Sequence, residues 1–366
     1  MKNLRKIEWW ILICAIILCG IGLVALFSAS YDSNLDEFKK QVVWIGISFV
    51  IMIVVMFIDY RILIKASPIL YGIAIISLIA VLFTKPISGA RSWFVIGDDL
   101  FSFQPAEISK VFIILFLSYV ISIIQRKERN EINKITKLGI VILTIAVPVL
   151  LIIIEPDYGT ATAYIIAFII MIFVAGIDKK YIISAFAVII IAVPLIYNFV
   201  LPQHAKSRID TFLHPESDPR GAGYNILQSK LAIGSGQITG MGVLQGNQTQ
   251  LGYLYPKSTD FIFSVIGEEM GFVVACSVIL LNIVIITKAI QIAKGTKDEA
   301  GSYVAAGICG IFLFHTLENV GMTMGLLPIT GVPLLFVSYG RKFNDNKLYV
   351  SWYFAKYKWT KKKWNV

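Results

Sequence analysis

Nine long apolar runs dominate this 366-residue chain. Each is long enough to cross a hydrocarbon layer about 30 Å thick at a helical rise of about 1.5 Å per residue. They lie near 8–30, 41–58, 62–84, 106–125, 138–155, 159–177, 181–200, 261–290 and 302–325. Within lipid a segment must satisfy its own backbone hydrogen bonds, so runs of this length are predicted to be helices. The expected fold class is an all-α polytopic membrane protein. A composition that is 57% hydrophobic and only 15% charged excludes an ordinary soluble domain. The stretch GLLPITGVPLLFVSYG at 325–340 is short and interrupted by Gly and Pro, which makes it a doubtful tenth span.

Positive charge sets the expected orientation. Lys2, Arg5 and Lys6 precede the first run, Arg126, Lys127, Arg129, Lys134 and Lys137 follow the fourth, Lys179 and Lys180 follow the sixth, and Lys294 and Lys297 follow the eighth. With alternating spans these loops share one side, which predicts a cytoplasmic N-terminus and an external segment at 201–261. The net charge of +10 is then mostly topogenic bias, and a nucleic-acid partner has little support. The first run is too long for a cleavable signal and has no small-residue cleavage site. Cys14, Cys19, Cys276 and Cys309 fall inside apolar runs without metal-site spacing and read as inert core residues. No fixed repeat or separate soluble domain is visible.

Polar groups in so apolar a chain need individual explanations. Glu107 and Lys110 are three residues apart just after Pro105, so they share one face of the fourth helix. They read as an intramembrane ion pair that fixes packing, or one that also lines a cavity. Arg91 and Trp93 precede that helix and suit either interfacial anchoring or a grip on a diphosphate and a sugar ring. Glu155 and Asp157 stand where the chain turns into the sixth helix and read as caps. The 201–261 segment carries Arg208, Asp218, Tyr224, Gln228 and a glycine run at 234, 236, 240 and 242, and it mixes turn residues with aromatic and aliphatic ones, which predicts an ordered loop. It ends at Asp260, followed by Glu268 and Glu269. On residue type alone Asp260 is a helix cap or a general base.

GARSW at 89–93, FQPAEISK at 103–110, EPDYGTA at 155–161, DPRGAGYNILQS at 218–229, TDFIFSVIGEE at 259–269 and GLLPITGVPLLFVSYG at 325–340 together resemble the SEDS family of shape, elongation, division and sporulation proteins, the RodA branch most closely. The resemblance implies a ten-helix peptidoglycan glycosyltransferase of the bacterial cytoplasmic membrane that polymerises lipid II at the outer face. It also implies a divalent cation (Mg or Mn), a class B penicillin-binding protein as partner, and other elongation or division machinery. It places the essential aspartate on Asp260, the functional tryptophan on Trp93, and the buried acid and lysine on Glu107 and Lys110. An inverting transfer needs a carboxylate to take the hydroxyl proton and positive charge on the departing diphosphate. Arg91 and Arg208 are the candidates for that charge.

After Gly340 the sequence leaves the family pattern. Residues 341–366 read RKFNDNKLYVSWYFAKYKWTKKKWNV, basic and aromatic, without a membrane-length apolar run. Residues 341–349 can be encoded so that reading one base later gives Gly-Ser-Ser-Met-Ile-Thr-Asn-Tyr, the family continuation, and extending the shift gives an apolar helix. The expectation is a membrane domain at 1–340 followed by a frameshifted tail at 341–366, with the tenth helix missing or half inserted and activity reduced or lost. Two other functions suit a ten-helix chain with internal polar groups: a flippase for a lipid-linked precursor, for which His315 and Glu318 speak, and a scaffold that activates a transpeptidase.

Overall fold

The computed structural model describes residues 8–56, 58–86, 90–96, 101–200, 203–296 and 298–340. Every apolar run is a helix. The first three are α1 (Trp9–Ala29), α2 (Asp36–Met56) and α3 (Tyr60–Val81). A small antiparallel hairpin follows, β1 (Phe94–Ile96) with β2 (Phe101–Phe103), in a register that sets Phe94 opposite Phe103. Then come α4 (Pro105–Ile124), α5 (Ile135–Ile154), α6 (Tyr158–Ala175) and α7 (Lys179–Leu195). Residues 203–261 form an ordered part of the segment and contribute α8 (Gln203–Leu213), α9 (Ala222–Ser235) and α10 (Asn247–Gln250). Last are α11 (Ile262–Gly295) and α12 (Glu299–Thr323). By length and composition eight helices among the described residues can cross a membrane, in α1, α3 to α7, α11 and α12.

Local chemistry fixes the helix ends. The Asp59 carboxylate accepts from the Arg61 amide at 3.0 Å and caps α3. Pro105 opens α4, where a missing N–H costs nothing. Asp157 caps α6 through the Thr160 amide at 3.0 Å, and Gly176 ends that helix in the left-handed conformation.

The core is built around α12, whose membrane-length stretch is 83% buried, against none for α7 at the periphery. It packs on α6, α11 and α4, while α1 lies along α11 and α3 along α4. A helix surrounded on all sides has no solvent-facing polar stripe, so the polar side chains α12 does carry, His315, Glu318 and Asn319 among them, are themselves buried. The free thiols Cys14, Cys19 and Cys309 are buried as expected, whereas Cys276 on α11 is only half-buried.

Helix α11 is two helices in one run. It breaks at Gly271, at φ 79°, and residues 262–269 ahead of the break are all buried. The glycine run in the loop serves close approach: a Cβ on Gly236 would stand 1.9 Å from the Gly267 carbonyl oxygen.

After α12 the chain turns back into the bundle as an irregular strap, residues 327–340, with Val332, Leu334, Leu335, Phe336, Val337 and Tyr339 buried. Non-helical backbone survives at such depth only where protein surrounds it and its polar groups are bonded. The doubtful tenth span is therefore not a helix up to Gly340, and the expected aberrant tail at 341–366 lies outside the described residues.

Candidate functional site

The strap meets the end of the 201–261 segment, and Asp260 lies at that junction. Phe261, not Asp260, is the N-cap residue of α11, and no side chain caps that helix. The cap reading of Asp260 is thus corrected, because the turn ahead of the helix brings Asp260 one residue too early. Three successive backbone carbonyls are held here. Tyr339 N donates to Ser258 O at 2.9 Å, Ser338 Oγ to Thr259 O at 2.8 Å, and Asn319 Nδ2 to Asp260 O at 3.0 Å. Across from the carboxylate stands Gly331, at φ 75°, where an added Cβ would lie 3.6 Å from Asp260 Oδ2. The aspartate is partly buried, its backbone bonded and its side chain set against a residue with none.

The strap is fastened to α12 on the same stretch. Thr330 Oγ1 donates to Glu318 Oε1 at 2.7 Å, Asn319 Nδ2 donates also to Val332 O at 2.9 Å, and His315 Nδ1 lies 3.0 Å from Pro333 O. His315 joins the strap to the expected ion pair. Lys110 Nζ lies 2.5 Å from Glu107 Oε1 and 3.2 Å from His315 Nε2, with Lys110 and Glu107 only 3% and 5% exposed. A carbonyl only accepts and an ammonium only donates. His315 therefore carries its proton on Nδ1 and offers Nε2 as acceptor. The Glu107–Lys110 pair is a member of a chain that runs from α4 through α12 into the strap beside Asp260.

The α5–α6 turn holds a second acidic group. Asp157 is a cap, as read from the sequence, and also accepts from Gln104 Nε2 at 2.5 Å. Burial pushes its carboxyl above the usual range, while the Thr160 amide and Lys110 pull it back. Glu155 is not a cap of α6. It closes α5 and is fully buried, and among the described residues neither carboxylate oxygen has a hydrogen-bond partner. Burial, with the Asp157 charge adding to it, pushes its carboxyl up to about 8. Ser92 Oγ reaches the Glu155 backbone carbonyl at 3.3 Å, which ties the loop bearing Arg91 and Trp93 to this turn.

The other expected residues are placed less closely. Trp93 is half-buried beside Ser92, while Arg91 is exposed and donates to Leu82 O at 3.3 Å. Arg208 is exposed on α8. Among the described residues no group of three or more His, Cys, Asp or Glu side chains is arranged to hold a metal ion.

Sequence reasoning missed the Glu268–Glu269 clamp. Glu268 accepts from Gln248 N at 2.7 Å, Thr249 N at 3.0 Å and Thr249 Oγ1 at 2.6 Å, so its charge sits at the start of α10. Glu269 accepts from Ser28 Oγ at 2.7 Å and Gln250 Nε2 at 2.9 Å, which links α1, the loop and α11. Two adjacent acids inside an apolar run were the available signal. They mark buried carboxylates that need donors, and the donors come from a loop about twenty residues earlier.

The family model described as a cell cycle protein, FtsW/RodA/SpoVE, matches residues 8–341. Curated relatives include the peptidoglycan glycosyltransferase RodA of Treponema pallidum, 30% identical over 93% of this chain and 94% of its own length. The peptidoglycan glycosyltransferase MrdB of Escherichia coli K12 is 36% identical over 87% of this chain and 84% of its own. Stage V sporulation protein E of Bacillus subtilis is 34% identical over 90% and 91%. Among solved structures, a chain from a peptidoglycan synthase complex superposes with a TM-score of 0.82 at 23% identity, covering 98% of this chain and 99% of that one. The rod shape determining protein RodA of Thermus thermophilus gives 0.72 at 22% identity, with 98% of each chain covered. With the family pattern running unbroken from α1 to the end of the strap, this chain belongs to the FtsW/RodA/SpoVE family.

Proposed function

We propose that this protein is a peptidoglycan glycosyltransferase that extends glycan strands from lipid II, with Asp260 as the general base. The observation that carries the reading is the Asp260 junction. The backbone of residues 258–260 is pinned through three successive carbonyls, and the carboxylate stands opposite Gly331. A base that removes a hydroxyl proton as the glycosidic bond forms must be held within hydrogen-bond reach of that hydroxyl, and pinning supplies this. The transfer inverts the anomeric carbon, and the diphosphate leaves with the polyprenyl tail. Arg91 and Arg208 are exposed and available to neutralise that charge, and Trp93 to stack on a sugar ring.

The end of the bundle that carries residues 201–261 faces outward and the N-terminus faces the cytoplasm, in keeping with the positive charge of the opposite loops. The partner is a class B penicillin-binding protein, in keeping with the likeness of this chain to one from a complex that coordinates polymerization and crosslinking. The His315 and Glu318 side chains that motivated a transport path are engaged by the strap, which disfavours the flippase reading.

The tail after Gly340 is the product of a one-base shift. The family match stops at residue 341, and the strap closes at Gly340, whose amide reaches Gln41 Oε1 at 3.2 Å. Sequencing the coding DNA tests this directly: the idea fails unless a one-base shift restores Gly-Ser-Ser-Met-Ile-Thr-Asn-Tyr.

The function is tested by reconstituting the frame-restored protein with lipid II beside Asp260→Ala. Loss of polymer with partner binding retained supports the enzyme. Unchanged polymer with loss of lipid movement supports the transporter, and loss of neither supports the scaffold.

A further inference from the structure

We infer that Asn319 is the positioning residue for Asp260, setting where the carboxylate stands against the strap; this rests on Asp260 being the general base. Asn319 is fully buried one turn from the end of α12, the most enclosed helix of the bundle. Its amide nitrogen carries two protons, and both go to backbone carbonyls of segments with no regular structure of their own: Asp260 O at 3.0 Å and Val332 O at 2.9 Å. Those acceptors are 59 and 13 residues away in sequence, so nothing local fixes one against the other. One side chain on a rigid helix sets both.

Val332 follows Gly331, the residue that faces Asp260 Oδ2. The two bonds therefore fix the catalytic carboxylate and the backbone it faces relative to each other. Ser338 and Tyr339 hold the carbonyls of Thr259 and Ser258, and Asn319 holds the carbonyl of Asp260 itself. The amide can point only one way, because reversal would put Oδ1 against two carbonyl oxygens. Oδ1 is left buried without a hydrogen-bond partner among the described residues. A side chain serving only to fill space, such as leucine, would carry no such cost.

The test measures kcat and KM for lipid II in the full chain and in its frame-restored form, for Asn319→Leu, Asn319→Asp and Asp260→Ala. Leucine keeps the volume and removes both donors. Asn319→Leu is expected to lower kcat about 100-fold, the scale of a 1 Å misplacement, with KM within about twofold of the parent. A residue that merely stabilised the bundle would lower the amount of folded protein and leave kcat per folded molecule unchanged. Where the leucine variant does not fold, Asn319→Asp decides in the same way, because it keeps the shape but has at most one proton to donate. Parent-level kcat in the folded variant, with Asp260→Ala inactive, overturns the positioning role alone. Polymer formation by Asp260→Ala overturns the catalytic reading beneath it.

Discussion

Replacing Lys110 with methionine is expected to expose how much the α4–α12–strap chain contributes. Lys110 is 3% exposed, and its ammonium is 2.5 Å from Glu107 Oε1 and 3.2 Å from His315 Nε2. Methionine matches the length of the stem and removes only the charge and the donors. Removing one partner of a buried pair costs about 3–5 kcal/mol, because the other charge stays in the interior. The His315 acceptor left without its donor adds about 1 kcal/mol or more. The expected total is about 4–6 kcal/mol, large beside the 5–15 kcal/mol typical of a folded protein. The double variant Glu107→Gln/Lys110→Met removes both charges and should recover about 2–3 kcal/mol of that loss. The assay is reversible unfolding in mixed micelles, run as a double-mutant cycle. Strict additivity, or a Lys110→Met cost below about 1 kcal/mol, would refute the reasoning.

Other consequences are simpler to read. Glu155 has its carboxyl raised to about 8. An acid whose folded value lies above its unfolded value of about 4.5 binds more protons when folded, so stability falls as pH rises from about 4.5 to 8. Glu155→Gln is expected to flatten that fall and to melt higher than the parent at pH 8.5, by an amount worth at most about 5 kcal/mol; a slope that survives the substitution contradicts the assignment. Gly331→Ala places a Cβ on a residue at φ 75° beside the Asp260 carboxylate and should cost about 1–2 kcal/mol in stability along with a fall in turnover. Restoring the frame after Gly340 should raise the melting temperature, by roughly 2–4 °C for each kcal/mol of packing regained, and raise polymer yield. Equal melting and equal yield in the two forms would remove the tail as a cause of lost activity.

The helices were legible because membrane length and hydropathy leave one solution for each apolar run, and all nine runs are helical. Glu107 and Lys110 were legible by their i,i+3 spacing, which alone puts them on one face. What could not be read was any contact that joins distant segments. Asp260 looked like a cap because sequence shows only that it precedes a helix, whereas one residue of turn moved the cap to Phe261. Asn319 looked like one polar residue in an apolar helix, since neither of its carbonyl acceptors has a side-chain signature. The strap at 327–340 was recognisable only as a poor helix, because its stability comes from acceptors on Gln41, Ser258 and Thr259 and from donors on Asn319 and His315. Glu155 read as a cap because the local pattern is the same as that of Asp157. What separates them is position: Asp157 reaches the Thr160 amide, whereas Glu155 ends α5 too early to do so.

The most direct measurement is polymer formation from labelled lipid II by the purified, frame-restored protein in proteoliposomes without any partner, compared with Asp260→Asn. Asparagine keeps the size and the backbone bonds of the junction and removes only the capacity to take a proton. With Asp260 as the base, the parent makes polymer and the variant loses at least about 100-fold at unchanged melting temperature, the scale of a missing general base. Polymer made at the parental rate by Asp260→Asn would contradict it.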